Sequence, residues 1–186
     1  MAARLDYLKE TPSQTAGPYV HIGLAPRAAG FDIFETVLGA APGEGRAGGR
    51  ITIEGRVLDG TGAPVTDALI ETWQADGEGA FAHGAAGWGR IVPDFETGIF
   101  RIETVKPGRS RSQAPHIALW LVARGINIGL QTRIYFPADD HAGDPVLGRI
   151  AAAERRATLI AEPAGPGRYR FDIRLRGERE TVFLDI

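Results

Sequence analysis

A guanidinium set among apolar side chains is the first chemical oddity of this 186-residue chain. It belongs to Arg133, in LQTRIYF, near the end of an apolar stretch running from Ala114 to Phe136. Alternate residues of a strand share a face, so an extended segment here projects Gln131, Arg133 and Tyr135 together. Ile128, Leu130, Thr132, Ile134 and Phe136 form the opposite, core-facing set. A buried guanidinium is costly unless it meets a carboxylate or another anion. Arg133 is therefore either a structural ion-pair partner or a site for an anionic ligand.

The other chemistry-bearing residues are sparse. The histidines are His21, His83, His116 and His141, with no HxH pair and no HExxH, so no local zinc or iron site can be named. His116, following Pro115, reads as a satisfied structural histidine, and His21 and His141 as solvated loop residues. There is no cysteine, which excludes disulfides, thiolate metal sites and a thiol nucleophile. GxSxG and P-loop motifs are absent; GEGRAG (Gly43 to Gly48) matches GxGxxG only inside AAPGEGRAGG, a surface loop by composition, and GEGAFAHG lacks the strand-to-helix context that a phosphate cradle requires. Asp139-Asp140 and the Glu178/Glu180 pair read as solvated surface. A net charge of −2 gives nucleic acid nothing to bind. With no apolar run of about 18 residues and no signal-peptide core, the chain is expected to be cytoplasmic, without a membrane partner.

These residues must be positioned by short strands. ITIEGRVLD, ALIETWQAD and GIFRIETV alternate or run apolar between turn signals, as do 116–123 and 128–136, which form a hairpin around Arg124-Gly125-Ile126-Asn127. Further strands are expected at 156–162 and 168–175, a short helical turn at 31–38, and a helix beginning with Asp144 as N-cap and Pro145 behind it. The segment 76–90 is too rich in glycine for a regular element. The opening TPSQTAGPYVHIGLAP is broken by Pro12, Gly17, Pro18 and Pro26, and orders only by docking on something. The expected architecture is mainly β: an arm over 1–49 that docks on a partner, then a β-sandwich with short helices over 50–186. The last residues, ETVFLDI, are apolar enough to pack. The residues taken alone stop short of a reaction.

Specific strings carry the reading further. TPSQTAGPYVHIGL, ETWQAD, VKPG, APHI, ARGIN, LQTRIYF and YRFDIRLRGERETVFLDI together resemble, in the same order, the two-chain members of the intradiol ring-cleaving dioxygenases, over nearly the whole chain. The resemblance implies a β-sandwich and an O2-dependent opening of 3,4-dihydroxybenzoate (protocatechuate) to 3-carboxy-cis,cis-muconate at a non-haem ferric ion. In that family two tyrosines and two histidines of the catalytic beta chain hold the iron, a sensible set because hard Fe(III) suits phenolate oxygen. The corresponding positions here are Phe81, Ser110, His116 and Ala118. One ligand of four survives, so the resemblance implies an alpha chain that binds no metal itself. The Fe(3+) belongs to the beta chain of an alpha–beta hetero-oligomer.

The resemblance also implies that the alpha chain lines the substrate pocket, at Thr15, Gly17, Pro18 and Tyr19 of the arm and at Arg133 of the hairpin, with Tyr19 and Arg133 nearest the chemistry. Gly17-Pro18-Tyr19 offers close backbone approach, a fixed φ and an aromatic wall, and Arg133 offers fork-like donors to an anion. A non-enzymatic β-sandwich binding module that keeps only the fold is the competing reading. The intact TAGPY arm, which such a module has no need to keep, distinguishes the two.

Overall fold

The computed structural model describes residues 15–37, 39–40, 42–82 and 84–185. The arm ahead of Thr15 and His83 lie outside the described residues. Two sheets face each other across one apolar core. The first has the order β4-β1-β8-β7, where β1 is Arg50–Leu58, β4 Ile99–Val105, β7 Glu162–Pro163 and β8 Arg168–Arg170, and β9 (Ile173–Arg174) extends the contact along β1. The second has the order β3-β2-β5-β6, with β2 at Leu69–Gln74, β3 at Trp88–Ile91, β5 at His116–Val122 and β6 at Leu130–Tyr135. Pairing is antiparallel except where β8 and β9 run parallel to β1.

The alternation that marked β1 is realised: Ile51, Ile53 and Val57 point into a core shared with Ile70, Ile117, Leu119, Leu121, Ile134 and Phe136 of the facing sheet. Burying each such side chain contributes about 1.5–3 kcal/mol relative to exposure, which is what holds the two sheets together. The expected strand over 168–175 is split. Asp172 turns its carboxylate onto the Arg56 N–H at 3.0 Å, and a side chain there replaces a ladder carbonyl. The C-terminal tail packs as expected, with Leu184 N–H donating to Gln131 O at 2.8 Å along the free side of β6 and Phe183 against the core.

Several local expectations are corrected. Among the described residues the helix of the arm is α1, Pro18–Leu24, and none forms over 31–37 (Leu38 lies outside the described residues); around Phe31 the loop is pinned open by Arg27, which donates to Asp32 Oδ1 and to Phe34 O. The expected strand over 156–162 is reduced to a bridge from Ile160 to Tyr135 and to Glu162 at the start of β7, because its first two residues close α2 (Ala153–Ala157), whose AERRA is made of good helix formers, and a turn follows. Asp144 does cap, accepting the N–H groups of Val146 and Leu147 at 2.9 Å each, but only a single 3-10 turn (Leu147–Arg149) follows. The glycine-rich 76–90 segment does contain a strand, β3, held at the edge of its sheet. Ile128 is 74% exposed, since the ladder begins only at Leu130. His21 is buried rather than solvated, and Asp139 is half-buried in an ion pair with Lys106 at 2.5 Å. Among the described residues, no helix is long and apolar enough to cross a membrane.

Candidate functional site

The sheet β3-β2-β5-β6 carries candidate functional residues at both of its ends, and they are of different kinds. At the end where β5 runs out into Ala123 and Arg124, the arm is fastened down. Thr15 Oγ1 accepts the Gly125 N–H at 2.7 Å and donates to Ala123 O at 3.4 Å. Gly17, in extended backbone, precedes α1, whose first residue is Pro18. That placement suits proline, whose missing N–H would have had no helical acceptor. His21 then anchors the helix: its Nε2 lies 3.5 Å from Ala68 O, and its ring meets Phe95 edge-to-face at 5.5 Å. Arg90 ties Leu24 O at 2.8 Å while paired with Glu71 at 2.6 Å.

This docking leaves Tyr19 85% exposed and creates an apolar cleft of about 400 Å³ between the arm and β3, lined by Leu24, Phe31, Phe34, Val37 and Ile91. Arg124, at the turn beside Thr15, keeps its side chain 77% exposed, with Asp67 at 3.3 Å. Thr15, Gly17, Pro18 and Tyr19 are thus brought together, and Arg124 joins them. Arg124 stood in the ARGIN string but offered no pattern of its own, because an exposed arginine in a turn is indistinguishable in sequence from any solvated one.

Arg133 is at the other end. It is the direct cross-strand partner of Ala118, six residues short of Arg124, so about 20 Å from the arm at about 3.3 Å per residue. Its guanidinium points further away still, donating through one Nη to Gln113 Oε1 at 3.0 Å and to the Tyr135 hydroxyl at 3.3 Å. It is nine-tenths buried, and its Nε has no partner among the described residues.

The positions matched to metal ligands are linked to this arginine, Ala118 directly and the others through its neighbours. Trp73, Ala118 and Arg133 form one row across β2, β5 and β6, and Phe81 stacks on Trp73 with centroids 6.3 Å apart and planes within 9°. Ser110 pairs by backbone with Gln113, the acceptor of Arg133. His116 sits opposite Tyr135, rings 5.6 Å apart, its Nδ1 2.8 Å from Ala114 O. The loops that bring Phe81 and Ser110 here are locked by Gly79, at φ +83°, where a Cβ would fall 2.0 Å from Arg109 O.

The electrostatics follow from burial. Burial pushes the Tyr135 phenol up to about 12, against the pull of the Arg133 charge. Burial, with Arg133 beside it, holds the His116 imidazole below its ordinary value although the Ala114 carbonyl favours the proton. Burial also works to raise the Asp144 carboxyl. The N–H groups of Leu147, Ala114 and Val146 and the Tyr135 hydroxyl outweigh it and keep the acid below the usual range. The cluster is therefore a neutral imidazole, a neutral phenol, a carboxylate and a guanidinium.

A ferric ion does not fit this set. A phenyl ring, a methyl group, a hydroxymethyl and one imidazole cannot satisfy a hard trivalent cation, and a fixed positive charge stands among them.

A two-sheet sandwich with this arrangement has known counterparts. The family model described as "Dioxygenase" matches residues 35–177. The chain belongs to the intradiol dioxygenase family, whose members depend on iron. It is 45% identical, over 97% of its own length and 98% of the other, to the protocatechuate 3,4-dioxygenase alpha chain of Pseudomonas putida. Likeness to the protocatechuate 3,4-dioxygenase beta chain of Burkholderia cepacia is 32%, covering 72% of this chain and 67% of that one. Among solved structures, the dioxygenase domain of a dioxygenase carbohydrate-binding protein fusion from Streptomyces sp. SirexAA-E superposes with a TM-score of 0.57 at 26% identity, covering 82% of this chain and 96% of that one.

Proposed function

We propose that this chain is the alpha subunit of a protocatechuate 3,4-dioxygenase, working with a beta chain that holds the Fe(3+) and opens the ring of 3,4-dihydroxybenzoate with O2. The observation that carries this reading is the pairing of an unfit metal position around Arg133 with an arm fastened to the chain's surface from Thr15 onward. The full-length likeness to an alpha chain supports it. The arm (1–49) docks on the beta chain and the sandwich (50–186) carries it. The large apolar surface exposed by Tyr19, Ile33 and Phe34 is what such a contact would cover. Cytoplasmic localisation goes with this assignment.

In this reading Thr15, Gly17, Pro18 and Tyr19 form a wall of the partner's substrate pocket. The carboxylate of the substrate needs a cation, and the exposed arginine beside Thr15 is Arg124, with Arg133 at the far end of the hairpin. Arg124 is exposed and able to turn from Asp67 to a ligand, whereas Arg133 is committed to Gln113 and Tyr135. The test is co-expression with an iron-competent homologue, followed by the loss of 3,4-dihydroxybenzoate absorbance. The pair turns over and this chain alone does not. Turnover by this chain alone would refute the assignment.

A further inference from the structure

Arg133 reaches three of the four ligand-equivalent positions through one intermediary or none, and the fourth, Phe81, through two. It faces Ala118 directly across the ladder; Trp73, on the other side of Ala118, carries Phe81. It donates to Gln113, which is bonded to Ser110, and to Tyr135, which faces His116. It also carries a fixed positive charge without being a metal ion. No carboxylate lies within ion-pair distance of it among the described residues. The nearest route to an acid is relayed: the Tyr135 hydroxyl donates to Asp144 Oδ1 at 3.2 Å while accepting from Arg133. An ordinary structural arginine would have its carboxylate in direct contact, and a ligand-binding arginine would be open to solvent. Arg133 is neither.

We propose that Arg133 is a built-in cation standing in the metal position of this chain. It supplies covalently the positive charge that organises the surrounding phenol, carboxylate and imidazole, and it is itself a barrier to metal loading. Loss of ligands and gain of this arginine are then two separate locks. Restoring ligands alone leaves the site closed, because a divalent or trivalent ion would have to sit beside a fixed, nine-tenths buried positive charge. The inference deepens the assignment of iron to the partner, but its test uses this chain alone. If the unaltered chain bound iron, the assignment would fail on its own terms.

Two measurements test it on the full chain. Arg133→Met should lower the melting temperature by about 5 °C or more, because it strips Gln113 and Tyr135 of their donor, and Arg133→Lys should recover at least half of that loss. A lysine variant no better than methionine would overturn the claim that charge matters. The second measurement is titration with cobalt(II), read by its visible absorbance. Phe81→Tyr with Ala118→His should show no saturable binding below about 1 mM, and adding Arg133→Met should tighten binding by about 100-fold, the equivalent of about 2.7 kcal/mol. Equal affinity with and without Arg133, or no binding in either variant, would refute the barrier.

Discussion

Thr15 and Gly125 are 110 positions apart in the chain and are joined by a 2.7 Å hydrogen bond from the Gly125 amide to the Thr15 hydroxyl. The bond seats the arm on the turn between β5 and β6, at the end of the sheet opposite to Arg133. One hairpin therefore serves two purposes without interference. Its His116 end holds a closed polar cluster, and its Arg124 end presents an arm, an exposed tyrosine and an exposed cation. The separation is what the proposed division of labour requires: the position unfit for metal at one end leaves the proposed pocket wall at the other undisturbed.

Replacing Thr15 with valine preserves shape and removes both hydrogen bonds to the turn. At about 1 kcal/mol net for each, the seated arm loses up to about 2 kcal/mol. In the assembled enzyme kcat/KM should fall by about 5–30-fold, with iron per pair unchanged. Steady-state kinetics with metal analysis checks both halves.

Arg124 and Arg133 should behave oppositely. Arg124→Ala removes an exposed charge whose pair with Asp67 contributes at most about 1 kcal/mol, so the melting temperature barely moves while KM for 3,4-dihydroxybenzoate rises about tenfold. Arg133→Ala leaves KM within about twofold and lowers the melting temperature. A raised KM for Arg133→Ala with unchanged stability would return the substrate carboxylate to Arg133.

Stability should depend on pH through two depressed groups. The Asp144 carboxyl is lower in the folded chain than its ordinary 3.8, so its contribution is complete above about pH 4 and disappears as pH falls through the folded value. His116 is depressed below its ordinary 6.5. The unfolded chain therefore takes up that proton first, and stability begins to fall as pH drops below about 6.5. Asp144→Asn should cost about 2 kcal/mol at pH 7 and flatten the acid limb below pH 4. Urea midpoints of both chains between pH 3 and 8 measure this.

At Gly79 a side chain faces two obstacles: φ is +83° and a Cβ would lie 2.0 Å from Arg109 O. Gly79→Ala should cost more than about 2 kcal/mol and release Phe81 from Trp73, which near-ultraviolet circular dichroism reports as a change in the tryptophan band.

Much of the frame was legible because period-two patterning and turn residues are local. Strands β1, β2, β4, β5 and β6 lie where alternation placed them, and the row from Trp73 to Arg133 follows from their register. The glycine-rich segment hid β3, because a strand of WGRI at a sheet edge is defined by its neighbour and not by its own pattern. Helix α2 was misread because Arg-Arg-Ala-Thr-Leu-Ile runs into apolar residues without a break. The site was harder. His21 appeared solvated because burial against Ala68 and Phe95 is a long-range contact. Asp144 read as a cap, which it is, yet its bond to Tyr135 depends on two segments meeting in space. Arg133 was conspicuous in sequence, but only the register showed it opposite Ala118 and away from Thr15.

Which chain carries the metal decides the division of labour between the two subunits. The direct measurement is iron content of each chain after the assembled enzyme is separated under conditions that keep ferric iron bound. About one ferric ion per alpha–beta pair is expected, all of it with the beta chain, and this chain should remain colourless when refolded alone with iron. Stoichiometric ferric iron on this chain, with the reddish absorbance of phenolate ligation, would contradict it.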